Sequence, residues 1–476
     1  MPARHIAVPV VPAPIQAGLQ RLRDALQVPA AFPPDVLAEA EQAAKAPRPA
    51  DRADRTDIEL VTIDPEGSMD LDQAVHIAKN GSGYTVHYAI ADVAAWVEPG
   101  GPIDAEAHRR GQTFYAPDQR ATLHPPALSE SAASLLADGH PRPALLWTIE
   151  LDADGAQTSA RVERSLVTSR ARLSYSEVQH DLDAGSATDS LHLLEIVGRL
   201  RQAVEAARGG VSLDTPEQEI TADGDDWRLE FRAALPVEGW NAQISLLTGA
   251  AAAEMMIAGK VGILRTLPPA EEWGIDKLRH AAKGLHIPWP SSMSYPEFIR
   301  TLKPSVPAHL AMMNASTVLF RGAAYTAFDG ALPTSNLVHG ALAMRYAHAT
   351  APLRRLVDRY VGETCVALSA GVAVPDWVRS ELAGLPAIMA ESDARAKKYE
   401  RGVVDLLEAL LLSTRIGQTF AGTVIEVDRD GTDGIVILTD PAVEARVSGA
   451  VKLGEEMTVR LVSADTEAGT VKFTVA

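Results

Sequence analysis

Asp64, Asp70 and Asp72, with Glu66 among them, bring four carboxylates into the nine residues Asp64-Pro65-Glu66-Gly67-Ser68-Met69-Asp70-Leu71-Asp72. Residues 58–63 before them read as a buried strand. Residues 74–79 and 84–91 after them read as a hairpin turning through Asn80-Gly81-Ser82-Gly83. The acids therefore sit on a tight loop between strands, where carboxylates cannot splay apart. Their mutual repulsion has to be relieved by solvent or by a bound cation. Both chemistries stay open from the loop alone, because Pro65 and Gly67 suit a solvated turn equally well. The apolar runs on either side favour the cation.

Composition narrows the setting. A chain of 476 residues with 46% hydrophobic content is too long for one ordinary core and has material for two or three. The net charge of -18 excludes nucleic-acid binding through the overall field, so any polyanion site must be local and rich in Arg and Lys. No run approaches eighteen apolar residues, and the opening Met-Pro-Ala-Arg-His lacks the layout of a secretory signal; a cytoplasmic location without membrane contact is expected. Cys365 stands alone, which excludes an internal disulfide framework and a cysteine-rich zinc site and leaves it as a small buried hydrophobe.

The pattern predicts a multidomain α+β chain. Residues 1–55 carry two helical stretches, 14–26 and 34–44, and form a small N-terminal helical unit with helix-turn-helix as one option. Residues 56–412 form one large domain around the acidic loop. It is strand-rich at first, including 143–151 and 160–170, and mainly helical past Ser176, over 189–208, 241–264, 295–302, 353–368 and 391–412. Residues 413–476 alternate about five short Val/Ile-rich runs with turns, which suggests an all-β OB-type barrel.

Specificity comes from two distant motifs. Ile63 to Asp72, followed by Tyr88-Ala89-Ile90-Ala91-Asp92-Val93, resembles the signature of the RNase II (RNB) family of exoribonucleases. Tyr346-Ala347-His348-Ala349-Thr350-Ala351-Pro352-Leu353-Arg354-Arg355 resembles that family's second block. Ser134-Leu135, Arg142-Pro143 and Ala253-Glu254-Met255-Met256 fall in the right order between them. The resemblance implies an RNB-type catalytic domain with an OB-fold RNA-binding domain after it. It implies hydrolysis of RNA from single-stranded 3′ ends threaded into a narrow channel, releasing nucleoside 5′-monophosphates.

Phosphodiester hydrolysis needs charge neutralised on the phosphate and a water activated, which a pair of Mg²⁺ ions does, with Mn²⁺ as the second choice. By resemblance Asp64 and Asp70 help hold metal, Asp72 is the residue most critical to chemistry, and Gln73 stands where the family usually has a fourth aspartate. Arg354 and Arg355 supply the phosphate grip, with ion pairs to Asp358 or Glu363 as their ordinary alternative. Tyr115 and Tyr175 look like the residues on which bases stack. Glu254 resembles a glutamate near the terminal nucleotide, and His348 is placed beside the arginines, more as a structural histidine than an acid or base.

The Gln73 carbonyl can ligate a hard ion but brings no charge, so metal affinity should fall or the preferred metal change, or the chain should be a catalytically weakened RNA-binding relative. The family usually carries two cold-shock-type barrels ahead of the catalytic domain. Here about 55 residues precede the first strand, so a wider mouth admitting partly structured RNA is expected. In the terminal barrel, Arg429, Arg446, Lys452 and Arg460 are the expected RNA contacts.

Overall fold

The computed structural model describes residues 13–46, 51–213, 216–223, 226–335, 337–428 and 431–476; Arg429 falls outside them. Its centre is a seven-stranded sheet. Strands β1 (Ala53–Asp54), β2 (Leu60–Asp64), β3 (Gln73–Asn80) and β4 (Gly83–Ala91) come first, and the small hairpin β5 (Phe114–Tyr115) and β6 (Arg120–Ala121) stands apart. Strands β7 (Arg142–Leu151), β8 (Gln157–Val167) and β9 (Ser169–Ser174) complete the order β1-β8-β7-β4-β3-β2-β9. The central pairs are antiparallel, while β1 joins β8 and β2 joins β9 in parallel. The β3–β4 turn needs positive φ at Gly81 (+57°), which glycine adopts without steric cost.

Alternation explains how the sheet is covered on both faces. Val75, Ile77, Tyr88 and Ile90 point into the largest core cluster, whereas Ala74, Ala89 and Ala91 point the other way into a second cluster. Large side chains meet the helices α5 (Asp189–Ala207), α6 (Pro236–Gly259) and α10 (Leu356–Ser369), labelled in a series that also includes α1 (Ala13–Leu26), α2 (Pro34–Lys45), α3 (Pro102–Arg110) and α4 (Tyr175–Ala184). Small ones let the acidic loop and α2 approach closely on the opposite face. Three helices, α7 (Glu272–Gly284), α8 (Tyr295–Thr301) and α9 (Pro307–Ser316), pack together and against the C-terminal barrel. After α11 (Asp376–Glu381), the long α12 (Leu385–Leu412) leads to that barrel. Cys365 is fully buried on α10, as expected of a small hydrophobe.

Three expectations change. The alternation over 160–170 is two strands, because the chain leaves β8 at Thr168 and re-enters as β9 on the far edge beside β2. The helix expected over 241–264 stops at Gly259: Lys260 takes a left-handed conformation, and Val261–Thr266 become a strand paired with Ala324–Asp329. The helix expected over 353–368 begins only at Leu356, since Arg355 is extended (φ -145°, ψ 120°), so both arginines precede it. By length and hydropathy α6 could cross a membrane, but here it is a core helix whose buried Asn241 and Gln243 are hydrogen-bonded.

The N-terminal helices do not form a pair of their own. α1 lies on α12, where Gly18 faces Leu406 and Gly402 faces Leu22, while α2 packs on α3. Buried Arg23 of α1 makes a two-pronged pair with Asp118 (3.0 and 2.8 Å), in the turn of the β5–β6 hairpin, and also donates to the Tyr399 hydroxyl of α12.

The C-terminal strands Thr419–Val427, Asp433–Thr439, Ala442–Ser448, Glu456–Asp465 and Thr470–Val475 close into a five-stranded barrel, as the sequence suggests. Arg446, Lys452 and Arg460 are exposed on it. Its joint to α12 holds the buried Glu408, whose Oε1 accepts the Gln218 amide (2.8 Å) and the Glu444 N–H (3.0 Å). Burial pushes this carboxyl up to about 7 despite those donors. The folded chain therefore keeps a proton that the unfolded chain has released above its ordinary value of 4.5, and stability falls as pH climbs from there through about 7. Glu408→Gln keeps the acceptor and drops the charge. It should stabilise the fold by about 1–3 kcal/mol at roughly pH 8 and much less near pH 5, read from thermal melts at both.

Candidate active site

The acidic loop is fixed from three sides. Asp64 ends β2 opposite Ser174 of β9. Ser134 Oγ donates to the Met69 carbonyl (2.6 Å) and accepts the Leu71 N–H (3.0 Å), and the Leu135 N–H reaches the Leu71 carbonyl (3.0 Å). The Asp72 carbonyl accepts the Ala91 N–H (2.9 Å). This pinning is what the sequence match around Ser134-Leu135 contributes.

The arginine segment arrives from 280 residues away. Tyr346 and Ala347 cross α6 at Gly249, where an added Cβ would lie 2.2 Å from the Tyr346 ring. The chain then meets the loop, with the Leu353 N–H donating to Asp72 Oδ1 at 2.7 Å. The Arg354 carbonyl accepts the Thr113 N–H (3.0 Å), which ties the β5–β6 hairpin to the same segment. Arg354 sets Nε 3.4 Å from Asp72 Oδ2, and about a third of its side chain is exposed. Arg355 behaves differently. Nε and Nη2 grip buried Asp358 (2.5 and 2.8 Å), which also accepts the Ala351 N–H, so Arg355 holds the turn before α10. Sequence could not separate the two roles.

The tyrosines flank the acids. Tyr115 brings its hydroxyl to 3.5 Å from Asp70 Oδ2. Tyr175 opens α4 behind a Ser174–Glu177 capping box and accepts a hydrogen bond from Asn241 (3.4 Å), whose amide also reaches the Ile63 carbonyl beside Asp64. Burial pushes the Tyr175 phenol up to about 12. One residue absent from the sequence reading belongs here: Arg120, directly across the hairpin from Tyr115, sets Nη1 2.9 Å from Asp70 Oδ1. The signal available was the Phe-Tyr-Ala-Pro-Asp-Gln-Arg-Ala run, which reads as a hairpin with Tyr115 and Arg120 opposed.

Burial raises the Asp64 carboxyl to about 7 against the pull of Arg354, and raises Asp72 well above its ordinary value although Arg354 and the Leu353 N–H favour the anion. Asp64 Oδ2 is buried with no hydrogen-bond partner. Among the described residues no three His, Cys, Asp or Glu side chains are grouped as a ready metal cage, and Asp70 and Asp72 are engaged with the chain's own guanidinium groups. The donor chemistry nevertheless fits a hard divalent cation: all-oxygen carboxylate ligands, costly desolvation, and one orphaned buried oxygen.

Three expected residues stand elsewhere or are otherwise employed. Gln73 begins β3 and donates its amide to the Thr350 carbonyl, so that group fastens the arginine segment to the sheet. Glu254 is exposed, roughly 20 Å further along α6 than Asn241 at 1.5 Å per residue, and is not brought to the acids. His348 hydrogen-bonds the Tyr325 hydroxyl (2.7 Å) and meets Tyr346 edge-on; burial and the nearby Arg355 and Arg265 charges hold its pKa well below 6.5, which suits a neutral structural histidine.

An α+β body with an acidic loop faced by arginine, edged by tyrosines and joined to a closed five-stranded barrel is a recognisable class. The chain belongs to the RNB family: the RNB domain model matches residues 52–368, about two-thirds of the chain, and the RNase II-type exonuclease C-terminal S1 domain model matches 418–476. Ribonuclease R of Escherichia coli is 27% identical over 407 residues, covering 79% of this chain and 49% of that protein; the chain thus spans about half the length of such curated relatives. Mycoplasma genitalium RNase R, solved with ribose-methylated single-stranded RNA, superposes with a TM-score of 0.86 at 20% identity over 98% of this chain and 78% of that one. Yeast Ssd1, described as a pseudonuclease, superposes at 0.68 with 18% identity over 85% and 51%.

Proposed function

We propose that this chain is a metal-dependent 3′→5′ exoribonuclease that hydrolyses RNA to nucleoside 5′-monophosphates. The observation that carries the reading is the convergence of Asp64, Asp70, Asp72, Arg354, Tyr115 and Tyr175 from segments up to 290 residues apart onto one spot. A bound Mg²⁺ or Mn²⁺, held by Asp64, Asp70 and Asp72, would supply charge neutralisation and water activation. Arg354 grips the scissile phosphate with its terminal nitrogens and braces developing negative charge. Asp72 keeps that guanidinium aimed, while its other oxygen is locked on the Leu353 N–H. Tyr115 and Tyr175 present ring faces to the last bases, a contact worth about 1–3 kcal/mol per base and indifferent to sequence. The substrates are RNAs with single-stranded 3′ ends; the Mycoplasma genitalium relative has also been solved with double-stranded RNA, which supports partly structured RNA as a second substrate.

A non-catalytic RNA-binding relative is the second reading. Its support is Gln73, a neutral side chain already committed to Thr350, together with the fold shared with yeast Ssd1. Incubation of 5′-labelled single-stranded RNA with Mg²⁺, with Mn²⁺ and with chelator separates the two. The enzyme yields a ladder shortening from the 3′ end with metal only. No ladder in either metal leaves the binding protein.

A further inference from the structure

The three aspartates do not offer their oxygens to a cation on equal terms. Asp64 Oδ2 is buried without a partner, whereas both oxygens of Asp70 are taken, Oδ1 by Arg120 Nη1 (2.9 Å) and Oδ2 by the Tyr115 hydroxyl (3.5 Å). The other end of the Arg120 fork, Nη2, lies 3.2 Å from Glu130 Oε1 on the short helix Leu128–Ala132. Arg120 and Glu130 are each about a quarter exposed and Asp70 only 8%, so one guanidinium at the solvent edge spans an inner and an outer carboxylate. Its backbone is held: Arg120 pairs with Tyr115 across the hairpin, and the hairpin turn is clamped through Asp118 by Arg23. Only the side chain is free to change partners.

Resting on the reading of this cleft as a metal site, we infer that Arg120 is an internal competitor for the divalent cation. Its guanidinium and the cation compete for Asp70, and its second partner Glu130 takes it when the cation wins. Both requirements of such a device are present. Four carboxylates within nine residues need a counter-charge to keep the loop closed, and Arg120 provides one. A permanent ion pair at Asp70 would keep metal out, and Glu130 gives the guanidinium a place to go without leaving it unpaired. The two partners of Arg120 thereby set metal affinity in opposite directions.

The test is calorimetric titration of Mn²⁺ alone, without RNA, into the chelator-stripped full chain. Arg120→Gln should bind Mn²⁺ roughly three- to tenfold more tightly than wild type, because the competitor is gone, and Glu130→Gln should bind it more weakly by a similar factor, because Arg120 is left on Asp70. Arg120→Gln binding with unchanged or weaker affinity overturns the inference and makes Arg120 a structural brace. Should that variant not fold, Glu130→Gln decides alone, and wild-type or tighter Mn²⁺ binding there has the same force. A wild-type chain that takes up no Mn²⁺ removes the metal reading and the inference together, whereas a binding wild type with unresponsive variants removes only the inference.

Discussion

Asp72→Asn leaves the chain folded and RNA-bound but slows single-turnover cleavage by at least about 10³-fold. The expectation follows from how the two oxygens of Asp72 are used. Oδ1 accepts the Leu353 N–H at 2.7 Å, and the asparagine carbonyl keeps that bond, so the contact between sheet and arginine segment survives. Oδ2 faces Arg354 Nε, and there the substitution removes the charge that aims the guanidinium and would help hold metal. Thermal stability should stay level or rise, because a carboxylate 2% exposed, with its pKa raised mainly by burial, is costly to keep ionised. RNA affinity should also hold or improve, since one negative charge next to the phosphates is gone. Matched melts, binding isotherms and single-turnover rates check all three. A variant that loses cleavage together with its melting transition would mean that Asp72 is a fold residue.

Arg354→Lys and Arg355→Lys should fail in different ways. At Arg354 the guanidinium faces Asp72 and the side chain is about a third exposed, so lysine keeps a charge but loses the planar fork. Cleavage should fall about 10²- to 10³-fold with the melting temperature nearly unchanged. At Arg355 the fork is closed on Asp358, which in turn holds the Ala351 N–H, so lysine should cost about 1–2 kcal/mol of stability with a smaller effect on rate. Rates and melts on both variants separate the grip from the brace. Equal losses of rate would place both arginines on the phosphate.

Much of this site was legible because its acids are adjacent in the chain. Asp64, Asp70 and Asp72 share one loop, and the flanking alternation exposed the strands that carry it, with Asn80 to Gly83 marking the hairpin. The barrel was legible for the same local reason, short runs between turns. What escaped was set by tertiary contact. Arg120 matters only because a two-strand hairpin puts it opposite Tyr115 and within reach of Asp70. Glu254 lies on the exposed side of α6, and because that helix is apolar around nearly its whole circumference the sequence does not tell which side meets solvent. Val261 to Thr266 continued an apolar helix on paper, and a left-handed Lys260 turned them into a strand. Gln73 reads in sequence only as a missing charge, because its bond to the Thr350 carbonyl joins segments far apart in the chain.

The clamp of Arg23 on Asp118 gives the N-terminal helix a stake in chemistry that its position in the chain conceals. Asp118 sits in the turn between Tyr115 and Arg120, and both of these touch Asp70. An exchange at Arg23 therefore reaches Tyr115 and Arg120, and through them Asp70, as well as the helix that bears it. Grafting these helices between relatives is neutral only where Arg23 and Asp118 are inherited together.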